Sequence, residues 1–165
     1  LKIRVMSSPV FIRMYEVLGA NPTPMSFSEV FTGLQQNVIN GQENPPTLIY
    51  ASGFQEVQKY LYETNHIVAT LEIIGNKDAM SKLTEEQQQI VRDAAKATAE
   101  QAWNDYIASV DADRATIEEA GVTVTQMTEE ERAKMLEKIQ PTIDMLMEEN
   151  SDWAPALVEK IEAVQ

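Results

Sequence analysis

The stretch ANPTPMSFSEVFTGLQQNVINGQENPP, residues 20–46, decides how the rest of the chain is arranged. Ser26 and Glu29 have the spacing of a capping box, which predicts the start of a helix. The apolar residues that follow recur at helical spacing, at Phe27, Val30, Phe31 and Leu34. The stretch ends in a glycine turn at Gly41 and a polar tip, residues 42–44, closed by two prolines. A polar loop held in this way is typical of a binding loop.

Strand and helix patterns alternate on both sides of this stretch. Residues 2–5 alternate polar and apolar, which predicts a strand, and a helix from Pro9 to Gly19 and a short strand near residues 21–25 follow. Val38 and Ile39 are interpreted as another very short strand, and residues 48–50 and 54–61 as short helical pieces. This alternation predicts an α/β fold.

The most β-prone run in the chain is HIVATLEII, residues 66–74. It consists almost entirely of apolar or β-branched residues. We therefore expect a strand with neighbours on both sides.

A long helix is predicted from the capping box at Thr84 to Ala120, because no glycine or proline interrupts this segment. At about 1.5 Å per residue it would be about 50 Å long. A compact ball of this chain length is only about 40 Å across. The helix should therefore bridge two lobes or dock on material outside this chain. The alternative is a break near residues 111–113 that gives two ordinary helices.

The C-terminal part of the chain is predicted to add a short strand and two further helices. The strand covers residues 122–124, and a helix follows from a third capping box at Thr128 and contains Pro141. Ser151 and Asp152 are expected to cap the last helix.

Composition limits the classes of function. The 165 residues carry a formal net charge of −13, which argues against nucleic acid and anionic membranes as partners. No cysteine is present, so thiolate chemistry is excluded. The chain has no apolar run long enough to predict a transmembrane helix, and its first residues, LKIRVMSSP, lack the apolar core of a signal peptide.

Three residues are candidates for a binding site. Arg4 is either a solvent-facing cation on an edge strand or a guanidinium in a cleft, where its planar fork matches a carboxylate. Asn44 either closes an Asx-type turn or fixes the orientation of a ligand through its amide. Phe27 has the periodicity of a core residue.

Catalytic and metal-binding patterns are weak. His66 is the single histidine and has no neighbouring metal-ligand spacing, so we expect a hydrogen-bonded structural role and no cofactor. Ser7 lacks the context of a nucleophile. Binding is therefore favoured over catalysis. An enzyme of the isomerase or lyase type acting on an organic acid remains the alternative, and it requires a His66–carboxylate dyad near Arg4. A helical oligomerisation module is a third possibility.

Three segments in this order, LKIRVM, LGANPTPMSFSEVFTGLQQNVINGQENP and FQEVQKYLYETNH, resemble the solute-binding proteins of TRAP transporters, the DctP-type extracytoplasmic subunits. The similarity continues more weakly to the C-terminus. It implies a periplasmic, two-lobed binding protein, not an enzyme, that closes around an organic acid and delivers it to membrane permease subunits. Dicarboxylates, keto acids, sugar acids and aromatic acids all fit such a protein.

The resemblance also implies site residues. Arg4 falls on the arginine that binds the ligand carboxylate, and Phe27 and Asn44 fall on pocket-lining positions. Ser7 occupies a position that can also contact ligand. The long helix falls on the family's lobe-spanning helix.

The fold implied is α/β, one lobe of a two-lobed periplasmic-binding-protein-like fold. Residues 1–65 would form the second-lobe core with the ligand site. Residues 66–110, the strand and the first part of the long helix, would belong to the first lobe, and residues 111–165 would return to the second. Because family members are about twice as long, we expect a fragment whose exposed strand and helix promote self-association.

Overall fold

The computed structural model describes residues 1–164, which fold into a mixed arrangement of helices and strands. The elements in chain order are β1 (Lys2–Val5), α1 (Pro9–Val17), β2 (Asn21–Pro24), a 3-10 turn (Phe27–Glu29), α2 (Val30–Gln35), α3 (Pro46–Ala51), a second 3-10 turn (Phe54–Glu56), β3 (Tyr60–Glu63), α4 (Lys77–Met80), α5 (Glu85–Glu119), β4 (Thr123–Gln126), α6 (Glu129–Glu149) and α7 (Ala154–Glu162).

The four strands form two separate parallel pairs. In the first pair β1 lies beside β2, with Arg4 opposite Thr23, and α1 makes the crossover that a parallel pair requires. In the second pair β3 lies beside β4, and the chain between them contains α5. Pro22 and Pro24 cannot donate backbone hydrogen bonds, which suits β2 to an edge position.

The core lies under the stretch 20–46 and at the C-terminal end of α5, which packs against α3. Each fully buried large apolar side chain contributes about 1.5–3 kcal/mol to the free energy of folding. The core side chains come from α2, the loop after it, α3, the second 3-10 turn, α5 and the residue before β4. They are Val30, Leu34, Ile39, Ile49, Phe54, Ile117 and Val122.

Helix α5 is continuous over 35 residues, so the predicted long helix is confirmed and the alternative of a break near residues 111–113 is wrong. The Thr84 N–H donates to Gln87 Oε1 at 3.0 Å, and the Gln87 N–H donates to Thr84 Oγ1 at 3.3 Å. The helix ends before Gly121, whose φ of +90° suits glycine.

Residues 67–108, called the arm below, contribute no side chain to the core, and the remaining described residues are called the body. No residue between 67 and 116 is buried. Within the arm, Val68 is 94% exposed and Leu71 is 99% exposed.

The prediction of a strand at residues 66–74 is wrong. No residue from 64 to 76 belongs to a helix or strand. A β-prone sequence forms a ladder only when a neighbouring strand supplies donors and acceptors, and no other described strand lies beside this run.

Three smaller predictions also need correction. Val38 and Ile39 are not a strand; the parallel bridge to β1 is made instead by Gly41, opposite Ile3. Residues 60–61 belong to β3 rather than to a helical piece, because they pair with β4. The N-cap of α7 is Trp153, not Ser151 or Asp152.

The arm leaves the body at a joint formed by residues 63–66. Arg114 Nε on α5 donates to Glu63 Oε1 at 2.8 Å, and Arg132 Nη1 on α6 lies 3.4 Å from the Thr64 carbonyl oxygen. Asn65 has a φ of +47°, which a non-glycine residue seldom adopts. Two helices of the body therefore hold the chain where the arm begins.

Candidate functional site

Arg4 is buried in β1 with only 5% of its surface exposed, so the alternative of a solvent-facing cation is wrong. Its Nε donates a hydrogen bond to the Met25 carbonyl oxygen at 3.0 Å, and its backbone N–H donates to the Gly41 carbonyl oxygen at 2.8 Å. A buried charge requires compensating partners. The Nε bond orients the guanidinium toward Met25, just after β2, and the backbone bond holds β1 beside Gly41.

Phe27 lies against Arg4. The Arg4 Cζ atom is 5.7 Å from the centre of the Phe27 ring, within the range of a cation–π interaction. The same ring packs on Phe54, with 5.8 Å between centroids, yet 41% of Phe27 remains exposed. Phe27 therefore forms a partly open wall beside the cation rather than a core position.

The loop of residues 40–44 is fixed alongside β1 by hydrogen bonds to the backbone of Lys2. The Asn40 N–H donates to the Lys2 carbonyl oxygen at 2.8 Å, and the Lys2 N–H donates to Asn40 Oδ1 at 2.9 Å. A Cβ added to Gly41 would come within 3.0 Å of Ile3 Cδ1. Glycine thus permits the close approach that brings the loop next to Arg4.

Amide side chains hold the tip of this loop. Asn44 Nδ2 donates to Gln42 Oε1 at 2.6 Å, and Gln42 Nε2 donates to Gln58 Oε1 at 3.0 Å. All three side chains are half-buried. The chain of amides fixes the position of Asn44, although no hydrogen bond joins Asn44 to Arg4 within residues 1–164.

Glu43 is the site residue that the sequence patterns did not single out. Burial raises the pKa of its carboxyl group, and the positive charge of Arg4 acts in the opposite direction by favouring the carboxylate. The sequence signal was its place between Gln42 and Asn44. That signal could not show that backbone pairing would bring Glu43 within electrostatic range of Arg4.

His66 lies in a small cluster of hydroxyl groups. Its Nε2 is 3.4 Å from the Tyr15 hydroxyl oxygen, and its Nδ1 contacts Thr64 Oγ1 at 2.5 Å. Burial lowers the pKa of His66. Burial also raises the pKa of Tyr15, and the negative charge of Glu43 raises it further. The predicted structural role of His66 agrees with these two hydroxyl partners.

Ser7 lies two residues after β1 and is exposed. No hydrogen bond connects its side chain to Arg4 in the described part of the chain. The structure thus brings Arg4 and Phe27 into direct contact and places Asn44 on the adjoining loop. Ser7 is close to Arg4 in sequence, just after β1, and makes no hydrogen bond to it in the described residues.

Two surface depressions occur elsewhere on the molecule. One of about 430 Å³ is lined by residues 55–60 and the segment after α5, and one of about 570 Å³ lies between Leu18 and α6. Neither includes a predicted site residue. Their lining offers no buried charge comparable to Arg4, so these two depressions are separate from the predicted site.

Two further classes of site were searched for over the described residues. No group of three or more histidine, aspartate or glutamate side chains there is placed to hold a metal ion. None of the helices in that range has the length and apolarity needed to cross a membrane.

Comparison with known proteins identifies the class. Residues 1–150 match the DctP model, described as bacterial extracellular solute-binding protein, family 7. The chain belongs to this family. The resemblance to TRAP solute-binding proteins and the expected α/β lobe with a long helix are thereby confirmed.

Particular relatives show how far the similarity extends. The ectoine/5-hydroxyectoine-binding periplasmic protein UehA of Ruegeria pomeroyi is 34% identical over 165 residues, covering 99% of this chain and 49% of UehA. The periplasmic ectoine-binding protein of the TeaABC TRAP transporter of Halomonas elongata has a TM-score of 0.90 at 32% identity, covering 98% of this chain and 54% of that one.

A third relative is a TRAP periplasmic solute-binding protein of Chromohalobacter salexigens with bound D-glucuronate. Its TM-score is 0.88 at 30% identity, and the match covers 100% of this chain and 54% of that one. The chain therefore spans about half the length of the relatives it matches. The relatives named here are binding proteins, and the family is extracellular.

Proposed function

We propose that this chain captures an organic acid through its carboxylate in the periplasm and delivers it to the permease subunits of a TRAP transporter. The observation that carries the proposal is the buried Arg4 guanidinium, held by Met25 and flanked by the half-open ring of Phe27. A buried cation beside an open aromatic wall suits an anionic organic ligand.

Arg4 is the proposed anchor. Because its Nε is engaged by the Met25 carbonyl oxygen, the terminal nitrogens Nη1 and Nη2 are the ones we assign to the ligand carboxylate. A planar fork offers two parallel hydrogen bonds, whereas a lysine ammonium is a point charge. The half-buried Glu43 moderates the charge of Arg4 before the ligand arrives.

The other three site residues have supporting roles in the proposal. Phe27 forms the apolar wall, and Asn44 orients the ligand by donating or accepting a hydrogen bond. Ser7 contributes a hydroxyl from the end of β1. The amide chain through Gln42 and Gln58 supports the role of Asn44, because a pre-positioned side chain loses less conformational entropy on binding.

We further propose that residues 1–65 form the second-lobe core with the ligand site, that residues 66–110 belong to the first lobe, and that residues 111–165 return to the second. The burial pattern supports this division, since core residues occur before residue 66 and after residue 116.

A binding function is proposed in preference to catalysis. The isomerase or lyase alternative requires a carboxylate side chain paired with His66 as a dyad near Arg4. The hydrogen-bond partners of His66 in the described residues are the hydroxyls of Tyr15 and Thr64. A neutral, hydroxyl-bound imidazole is a poor fit to that requirement.

The proposal is tested by titrating the chain with D-glucuronate and with ectoine, the ligands named for its relatives, and following backbone amide NMR signals. Arg4→Lys should weaken binding of the preferred acid by about 2–4 kcal/mol, because the fork is lost from a buried pair. Arg13→Lys is the matched control, since Arg13 is half-exposed on α1 and paired with Glu16. Equal affinities for Arg4→Lys and Arg13→Lys would contradict the proposal.

A further inference from the structure

Three amide side chains from two segments of the body form a continuous hydrogen-bonded chain. Asn44 Nδ2 donates to Gln42 Oε1 at 2.6 Å, and Gln42 Nε2 donates to Gln58 Oε1 at 3.0 Å. Gln42 and Asn44 belong to the loop beside β1, whereas Gln58 lies between the second 3-10 turn and β3. The amide chain therefore joins the loop of the proposed site to a segment that contributes no proposed ligand contact.

Gln58 stands on a fixed part of the backbone. It follows Val57, which packs against the core, and precedes Lys59, whose carbonyl oxygen accepts a hydrogen bond from the Thr123 N–H at 2.9 Å. Contacts on both sides thus hold Gln58 in place independently of the loop that carries Gln42. A residue held in this way can position the side chains that are bonded to it.

The direction of the amide chain decides which atom Asn44 offers to a ligand. A primary amide carries its carbonyl oxygen and its NH₂ group on opposite sides, so a chain of such groups can run in either direction. Here each link donates toward Gln58. Asn44 therefore faces Gln42 with its nitrogen and offers Oδ1, an acceptor, on the other side. In the reverse direction the NH₂ group of Asn44, a donor, would take that place.

We propose that Gln58 is a positioning residue that sets this direction, and that the site consequently prefers acids with an O–H or N–H donor near the carboxylate. The inference rests on the function proposed above, in which Arg4 binds the carboxylate and Asn44 orients the ligand. Hydroxy acids and sugar acids carry such a donor, whereas unsubstituted dicarboxylates do not. An acid without the donor displaces water from Asn44 Oδ1 and returns no hydrogen bond to it, which lowers affinity.

The ligand class is tested by titrating the chain with L-malate, D-malate, D-glucuronate and succinate and following the NMR signal of the Arg4 Nε–H. Malate and succinate share one dicarboxylate skeleton and differ by a single hydroxyl group. The tightest of the hydroxylated acids should bind about tenfold more tightly than succinate, because it donates to the acceptor of Asn44.

Variants at Gln58 test what sets the direction. Gln58→Glu keeps an acceptor for Gln42 Nε2 and should retain the preference for hydroxylated acids. Gln58→Met has a similar shape without that acceptor and should reduce the preference to about twofold or less. Gln55→Met is the matched control, because Gln55 lines the same surface depression as Gln58 and its Oε1 has no hydrogen-bond partner among the described residues. It should leave the preference unchanged.

A measurement without ligand separates this inference from the proposed function. The side-chain NH₂ signals of Asn44 should shift in Gln58→Met and stay close to their original positions in Gln58→Glu and Gln55→Met. Equal effects of Gln58→Met and Gln55→Met, or succinate bound as tightly as the hydroxylated acids, would overturn the inference and leave the proposed function standing. No response of Arg4 to any of the acids would overturn the proposed function and the inference with it.

Discussion

The body and the arm contain similar apolar residues in opposite environments. In the body, Val5, Phe54 and Ile117 are almost completely buried. In the arm, Val68, Leu71 and Ile74 are almost completely exposed, although the run that contains them is the most β-prone in the chain. The contrast shows that an apolar run predicts a need for burial and does not identify the surface that satisfies it.

Helix α5 belongs to both regions and shows which structure can form without tertiary contacts. Its C-terminal end is fixed by Ile117 in the core, whereas its first turns contain no buried residue. The first turns are helical because the Thr84 cap and an alanine-rich sequence act locally. A strand has no such local support, because its hydrogen bonds go to another strand.

The largest difference between the two regions is expected from side-chain deletion. Phe54→Ala should lower the free energy of unfolding by about 3–5 kcal/mol, because it leaves a cavity in the core. Trp103→Ala in the arm should change it by less than about 0.5 kcal/mol, since Trp103 is 64% exposed.

Urea unfolding of the two variants and of the unmodified chain, at one protein concentration, measures both values. Similar losses for Phe54→Ala and Trp103→Ala would contradict the division into body and arm. They would mean that the arm carries part of the core.

A smaller effect is expected at the joint. Glu63 is 8% exposed and Asp111 is 90% exposed, and both carboxylates bind Arg114. Glu63→Gln should destabilise the fold by about 1–3 kcal/mol, because it removes a charge-assisted bond from a mostly buried site. Asp111→Asn should cost less than about 0.5 kcal/mol, as an exposed pair does.

Thermal unfolding of the two joint variants, at one protein concentration, gives the comparison. If Asp111→Asn proved as costly as Glu63→Gln, the joint would not be part of the ordered body, and its boundary at residue 66 would have to move.

The smallest expected effect is a pH dependence at His66, the last residue of the body before the arm. Burial lowers its pKa below the ordinary value of 6.5, so the folded state binds fewer protons than the unfolded state as pH falls through that value. Stability contributed by neutral His66 is present above pH 6.5 and is lost below it. The raised pKa of Glu43 acts in the opposite sense at lower pH.

Melting temperatures at about pH 7.5 and about pH 5.5 test this linkage. The decrease on acidification should be smaller in His66→Gln than in the unmodified chain. An equal decrease in both proteins would show that His66 is solvated, as an arm residue would be.

The features predictable from the sequence were those with local causes. The capping boxes at Thr84 and Thr128 and the glycine stop at Gly121 act within one turn of their helices, and all three occur as expected. The strand predicted at residues 66–74 is absent, because a strand forms only beside another strand. The site was predicted in part. Arg4 and Phe27 are in contact, as the resemblance implied. Glu43 comes near Arg4 through the pairing of Gly41 with β1, which no spacing in the sequence reveals.

The most direct test of the account observes Arg4 itself. Its Nε–H donates to the Met25 carbonyl oxygen, so its NMR signal should be protected and resolvable, and the indole N–H of Trp103 provides a reporter in the arm. Addition of D-glucuronate or ectoine should shift the Arg4 signal saturably and leave the Trp103 signal in place. A shift at Trp103 with Arg4 unchanged, or no shift at either residue with any organic acid, would contradict the assignment of the carboxylate site to the body.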